Sequence, residues 1–222
     1  MLSAFLTLFA ANASAQVSNA GSLDLKDITA GAYYPEYVYG VTPMADGETY
    51  TQLSPDHKRI IRRSFKTGKE VGVVFNVDEA RGAQKLKSID GYVMSPDEST
   101  ILLRTQTKSI YRHSYTAVHY IYSVENKTYE PLSKAGPQQV PLFSPDGNLI
   151  AFVRDNNLFL VKLLFGNSES QVTKDGKFNE VLNGIPDWVN EEEFSTNRSF
   201  DFSADSKMLA WVRYDESKVP VY

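Results

Sequence analysis

Leu142-Phe143-Ser144-Pro145-Asp146-Gly147 decides the fold, because it joins two aliphatic stretches through a turn in which each residue has a separate mechanical task. Proline presets φ, aspartate accepts local backbone N–H groups, and glycine takes the left-handed conformation that closes the turn. Val140–Phe143 reads as the strand before it. Leu149–Arg154, Leu158–Leu163 and Ser170–Thr173 follow as three more strands, separated by polar turns at 155–157 and 166–168.

The unit recurs. Val41-Thr-Pro-Met-Ala-Asp-Gly47, Tyr92-Val-Met-Ser-Pro-Asp-Glu98 and Phe202-Ser-Ala-Asp-Ser206 hold the same kind of turn, so that aspartates fall at 46, 97, 146 and 205 with spacings of 51, 49 and 59. That period suits one four-stranded propeller blade per repeat. The second unit places its strands at Gly91–Met94, Thr100–Gln106, Ala117–Val124 and Thr128–Leu132. Alternation within Val118-His119-Tyr120-Ile121-Tyr122 suits a strand packed between neighbouring blades. A competing register starts the first unit at Leu53-Ser-Pro-Asp56, but it shortens the spacing to 41 and strands Val41–Thr51 without a partner; the longer register is preferred. In the fourth unit only Met208–Tyr214 follows the turn before the sequence stops at Tyr222. The expectation is an all-β, incomplete β-propeller of four-stranded antiparallel blades, about three and a half of them, at the front of a longer protein; a closed four-bladed ring fits less well because its last blade would be unfinished.

Composition narrows the function. A chain of 222 residues with 42% apolar content buries a substantial core, and a net charge of −4 gives no basic footprint for nucleic acid. Residues 1–15 read as a signal peptide: Leu2–Ala11 is a short apolar core, and Ala13-Ser14-Ala15 offers a small-residue cleavage site before Gln16, although the usual basic start is missing. Export to the periplasm or cell envelope follows, with residues 16–222 as the propeller part. There is no cysteine, hence no thiolate nucleophile and no cysteine metal site. His57, His113 and His119 lack metal-ligand spacing, and neither a metal nor another cofactor is expected. No Gly-x-Ser-x-Gly elbow occurs, so these 222 residues alone are expected to hydrolyse nothing. Asn126-Lys-Thr128 and Asn197-Arg-Ser199 match the glycosylation tripeptide, a weak signal.

Two segments are longer than the blade plan needs. Thr107–Thr116 lies between the second and third strands of unit two, and Lys174–Arg198 lies between units three and four. In an up-and-down blade both connections belong to one rim, which puts Arg112 and the run Glu191-Glu192-Glu193 on the same face, about two blades apart. The bland reading of Asp187-Trp-Val-Asn-Glu-Glu-Glu-Phe194 is a single helical turn capped by Asn190, with its acids at the positive end of the backbone dipole. The functional reading is a receptor. Two carboxylates accept the N–H donors of an ammonium group, and an arginine offsets their repulsion while donating to a carbonyl. Tyr111, Trp188 and Phe194 would wall the site.

At these residues the sequence resembles the dipeptidyl peptidase IV family of serine peptidases, envelope-located bacterial members above all. The likeness is carried by Ile110-Tyr-Arg-His-Ser-Tyr-Thr-Ala117, by Asn183-Gly-Ile-Pro-Asp-Trp-Val-Asn-Glu-Glu-Glu-Phe194 and by Leu209-Ala-Trp-Val-Arg-Tyr-Asp-Glu-Ser-Lys-Val-Pro220. It implies an eight-bladed N-terminal propeller and a C-terminal α/β-hydrolase domain, which together release Xaa-Pro or Xaa-Ala dipeptides from peptides with a free N-terminus. It further implies that Glu192 and Glu193 hold the substrate ammonium, that Arg112 contacts a carbonyl or organises the acids, and that His113 has a supporting role. Glu191 would be a neighbour only, and a homodimer is implied as well. Asn190 departs from the pattern, since members commonly carry an aromatic residue there. The reading from another class is a non-enzymatic propeller that binds a peptide or protein on the same rim.

Overall fold

The computed structural model describes residues 24–35 and 38–220; the signal-peptide reading lies outside them. The chain divides into two units at Tyr39/Gly40. The described residues of the first include the short helix α1 (Leu25–Thr29), whose first turn is capped by the Asp24 carboxylate accepting from Lys26 N–H at 3.0 Å.

The second unit is made of small antiparallel sheets. Blade one runs β1 (Thr42–Pro43), β2 (Thr49–Leu53), β3 (Arg59–Ser64) and β4 (Glu70–Asn76) in that spatial order. Blade two is β5 (Gly91–Met94), β6 (Thr100–Ser109), β7 (Tyr115–Ser123) and β8 (Thr128–Pro131). Blade three is β9 (Gln139–Phe143), β10 (Leu149–Arg154), β11 (Asn157–Lys162) and β12 (Ser168–Gln171). Then come β13 (Val181–Asn183), the helix α2 (Trp188–Phe194), β14 (Phe200–Phe202), β15 (Leu209–Trp211) and β16 (Arg213–Asp215).

The longer register of the repeat holds, since β1 pairs with β2 in the first blade. Its rival is nevertheless a true copy of the turn. Ser95, Ser144 and Ser203 each donate their hydroxyl to the aspartate two residues on, at 2.6 Å, and accept the N–H five residues on, at 2.9–3.0 Å. Ser54 does the same with Asp56 at 2.5 Å and Arg59 N–H at 2.9 Å, but between β2 and β3, on the opposite rim. The first blade's proper first turn has Met44 where the others have serine, and Asp46 caps Glu48 and Thr49 instead.

Alternation along each strand divides the side chains between two neighbours. Ile101, Leu103, Tyr120 and Tyr122 pack toward Ile60 and Phe75 of blade one, whereas Leu102 and Ile121 pack toward Phe143, Ile150, Phe152 and Phe159 of blade three. Ala151, Val153 and Leu158 face the other way, onto Ile185 and Phe200. One apolar core therefore lies between each successive pair of sheets, and no sheet buries both faces by itself.

The fourth unit differs from the single strand expected over Met208–Tyr214. β15 pairs with β14, but beyond Val212 the chain changes partner and β16 pairs with β13. Val212 is the hinge of that exchange: its N–H donates to Ser199 O at 2.8 Å and its carbonyl accepts from Gly184 N–H at 3.0 Å.

Candidate functional site

The loop 110–114 tops a hairpin that is longer than the sequence suggests, because β6 continues to Ser109 and β7 begins at Tyr115. The helix α2 forms in the connection from blade three. Its cap is Asp187 rather than Asn190: the Asp187 carboxylate accepts Asn190 N–H at 2.8 Å and the Asn190 side-chain amide at 2.7 Å. Capping from Asp187 starts the helix three residues earlier and makes Asn190 part of its first turn, which is the correction to the expected cap.

The two segments do not stay blades apart; they touch. Arg112 Nε stands 3.2 Å from Glu192 Oε2, with the arginine side chain 73% exposed and the glutamate 23%. That approach uses one of the three guanidinium nitrogens and one of the two carboxylate oxygens, and no side-chain hydrogen bond from the terminal nitrogens is seen among the described residues. Glu193 is exposed and makes no ion pair or side-chain hydrogen bond among the described residues. The arrangement thus holds one engaged carboxylate, one open carboxylate and a partly used guanidinium, a set of groups suited to an ammonium beside a carbonyl.

Glu191 behaves differently from its neighbours. It is 1% exposed, and its Oε1 accepts the backbone N–H of His113 at 2.8 Å and of Ser114 at 2.9 Å. Asn197 adds a third link by donating its side-chain amide to the His113 carbonyl at 2.8 Å. An exposed ion pair such as Arg112–Glu192 contributes about 0–1 kcal/mol. A hydrogen bond to a charged acceptor contributes about 1.5–3 kcal/mol, so the Glu191 contacts dominate the junction. Sequence reasoning missed this. The run of three glutamates gives no sign of which one turns inward, and Asn197 was legible only as part of a glycosylation tripeptide, whereas its amide nitrogen is engaged with protein.

The aromatic residues divide. Tyr111 and Trp188 line a cavity of about 480 Å³ together with Ile185, Asp187, Glu191 and Glu216, but Arg112, Glu192 and Glu193 do not line it. Burial, reinforced by the charge of Asp187, pushes the Glu216 carboxyl up. Phe194 is 71% exposed and lies outside the cavity. His113 contributes its backbone rather than its ring. No group of three or more His, Asp and Glu side chains able to hold a metal ion occurs among the described residues.

Stacked four-stranded sheets with a helix and a hairpin meeting on one rim define a part of a β-propeller. A family model described as the dipeptidyl peptidase IV N-terminal region matches residues 95–222. Human prolyl endopeptidase FAP is 31% identical over 209 residues, which is 90% of this chain and 25% of that protein. Probable dipeptidyl-aminopeptidase B of Talaromyces marneffei is 41% identical over 132 residues, 58% of this chain and 14% of that protein. The crystal structure of Porphyromonas gingivalis dipeptidyl peptidase 4 superposes with a TM-score of 0.81 at 46% identity, covering 89% of this chain and 28% of that one. The chain belongs to the dipeptidyl peptidase IV family, within its N-terminal propeller region.

Proposed function

We propose that this chain is the substrate-gating, N-terminus-recognising part of a serine-type dipeptidyl aminopeptidase that releases Xaa-Pro or Xaa-Ala dipeptides. Glu192 and Glu193 receive the α-ammonium of the peptide, which is mostly cationic at neutral pH. Arg112 keeps the two acids from repelling each other and donates to a substrate carbonyl. The nucleophile comes from an α/β-hydrolase domain beyond these 222 residues. Anchoring the ammonium at a fixed distance from that nucleophile selects the second peptide bond, and a longer N-terminal extension collides with the acids. The leader over residues 1–15 directs the protein to the periplasm or cell envelope.

The observation that carries the reading is the 3.2 Å approach of Arg112 to Glu192, made by segments eighty positions apart in sequence. In the full-length protein, Glu192→Ala or Glu193→Ala is expected to cost roughly 2–5 kcal/mol of transition-state stabilisation on a Gly-Pro reporter amide, as breaking a hydrogen-bonded charge pair does. N-acetylation of the reporter should abolish turnover. Equal cleavage of the free and acetylated reporters, or wild-type kinetics in both folded variants, would remove the N-terminus receptor, whereas no turnover of either reporter by the full-length protein would favour a propeller that binds proteins without processing them.

A further inference from the structure

Arg112 sits in a loop that belongs to no sheet, and its side chain is mostly in solvent. Its ion pair with Glu192 is too weak to order that loop. What fixes it is the next carboxylate in sequence. Glu191 is enclosed, as glutamates almost never are unless their charge is met, and it is met by two consecutive backbone N–H groups immediately after Arg112. Consecutive residues of α2 therefore divide the work: Glu191 grips the loop's backbone from inside, and Glu192 meets its guanidinium outside. Asn197 holds the same peptide unit from the other side through the His113 carbonyl.

We infer that Glu191 is a positioning residue, which sets the distance between the Arg112 guanidinium and the Glu192 carboxylate and so determines the affinity of the rim for its ligand. The inference rests on the proposed ammonium receptor and extends it to a residue that makes no contact with substrate.

The test is steady-state kinetics of the full-length protein on the Gly-Pro reporter amide, together with hydrogen exchange at the His113 and Ser114 amides. Glu191→Ala is expected to raise KM about tenfold or more at nearly unchanged kcat, the sign of lost uniform binding. Arg112→Ala added to it should change KM little further, because the arginine is already misplaced. Glu191→Gln keeps an acceptor oxygen and should recover most of the affinity. A residue that merely supports the fold would instead lower the active fraction, seen as a lower apparent kcat at constant KM, and that result overturns the inference. So does wild-type KM in Glu191→Ala. If Arg112→Ala and Glu192→Ala also leave KM untouched, the receptor itself fails rather than its brace. Should the alanine variant not fold, the wild-type protein still decides: both amides must exchange slowly although they lie in a loop, and rapid exchange at either overturns the link.

Discussion

His119 is buried at 3% exposure on β7, and its Nδ1 lies 3.1 Å from Gln138 Oε1. The Gln138 oxygen also accepts His119 N–H at 3.0 Å while its amide donates to Gly136 O, so that oxygen is fixed as an acceptor and Nδ1 carries the proton. Burial above all, with the Arg104 charge adding to it against the Gln138 bond, lowers the imidazole pKa to about 4. Between pH 6.5 and pH 4 the unfolded chain takes up a proton that the folded one refuses. Stability contributed by this group is therefore complete above pH 6.5 and falls as the solution is acidified, by about 3 kcal/mol at the end of the window. Urea midpoints measured from pH 7 to pH 4 should show the decline, and His119→Leu should flatten it. The orientation of this side chain was legible in the alternation of its strand. The division among Glu191, Glu192 and Glu193 was suggested only by family resemblance and not by the residues themselves, because three identical neighbours on a short helix differ only in what the rest of the chain presses against them.

Among the elements, the serine-initiated turn is where sequence and structure agree most closely. Ser144 is fully buried, donates to Asp146 at 2.6 Å and accepts from Leu149 N–H at 2.9 Å; that hydroxyl bond is the largest cause holding the Asp146 pKa at about 2. Ser144→Ala leaves the Leu149 N–H without its acceptor and should cost about 1–3 kcal/mol, read from the shift in denaturation midpoint. Gly184 is the second sensitive point. Its φ is +77°, and a Cβ there would stand 3.0 Å from Phe200 Cδ1, so Gly184→Ala should lose at least about 1–2 kcal/mol by the same measurement. Turn chemistry is local, and for that reason the strands around Asp97 and Asp146 could be bounded to within a few residues. The change of partner at Val212 depends on Gly184 and Ser199, both distant in sequence, and no pattern within residues 208–214 announces it.

At the scale of the whole molecule, the described residues form three apolar layers between neighbouring sheets. Substitutions in different layers should act independently. Ile60→Ala and Val153→Ala, from the first and third layers, are expected to add to within about 0.5 kcal/mol. Phe152 and Phe159 share a layer with stacked rings 5.4 Å apart, and Phe152→Leu with Phe159→Leu should show a coupling of about 0.5–1.5 kcal/mol in a double-mutant cycle. The repeat period foretold this layering, since an isolated four-stranded sheet has two apolar faces to cover. It did not foretell that the hairpin of one blade would reach across to a helix that follows the next.

That reach has a consequence for when the rim becomes competent. Arg112 is translated before its partners, and the backbone beside it lacks its bonds to Glu191 and Asn197 until both have left the ribosome. A nascent chain halted anywhere earlier carries the arginine but not the clasp. The loop's anchorage thus comes only after its own hairpin is made, and any lesion that unseats the third blade loosens it from a distance.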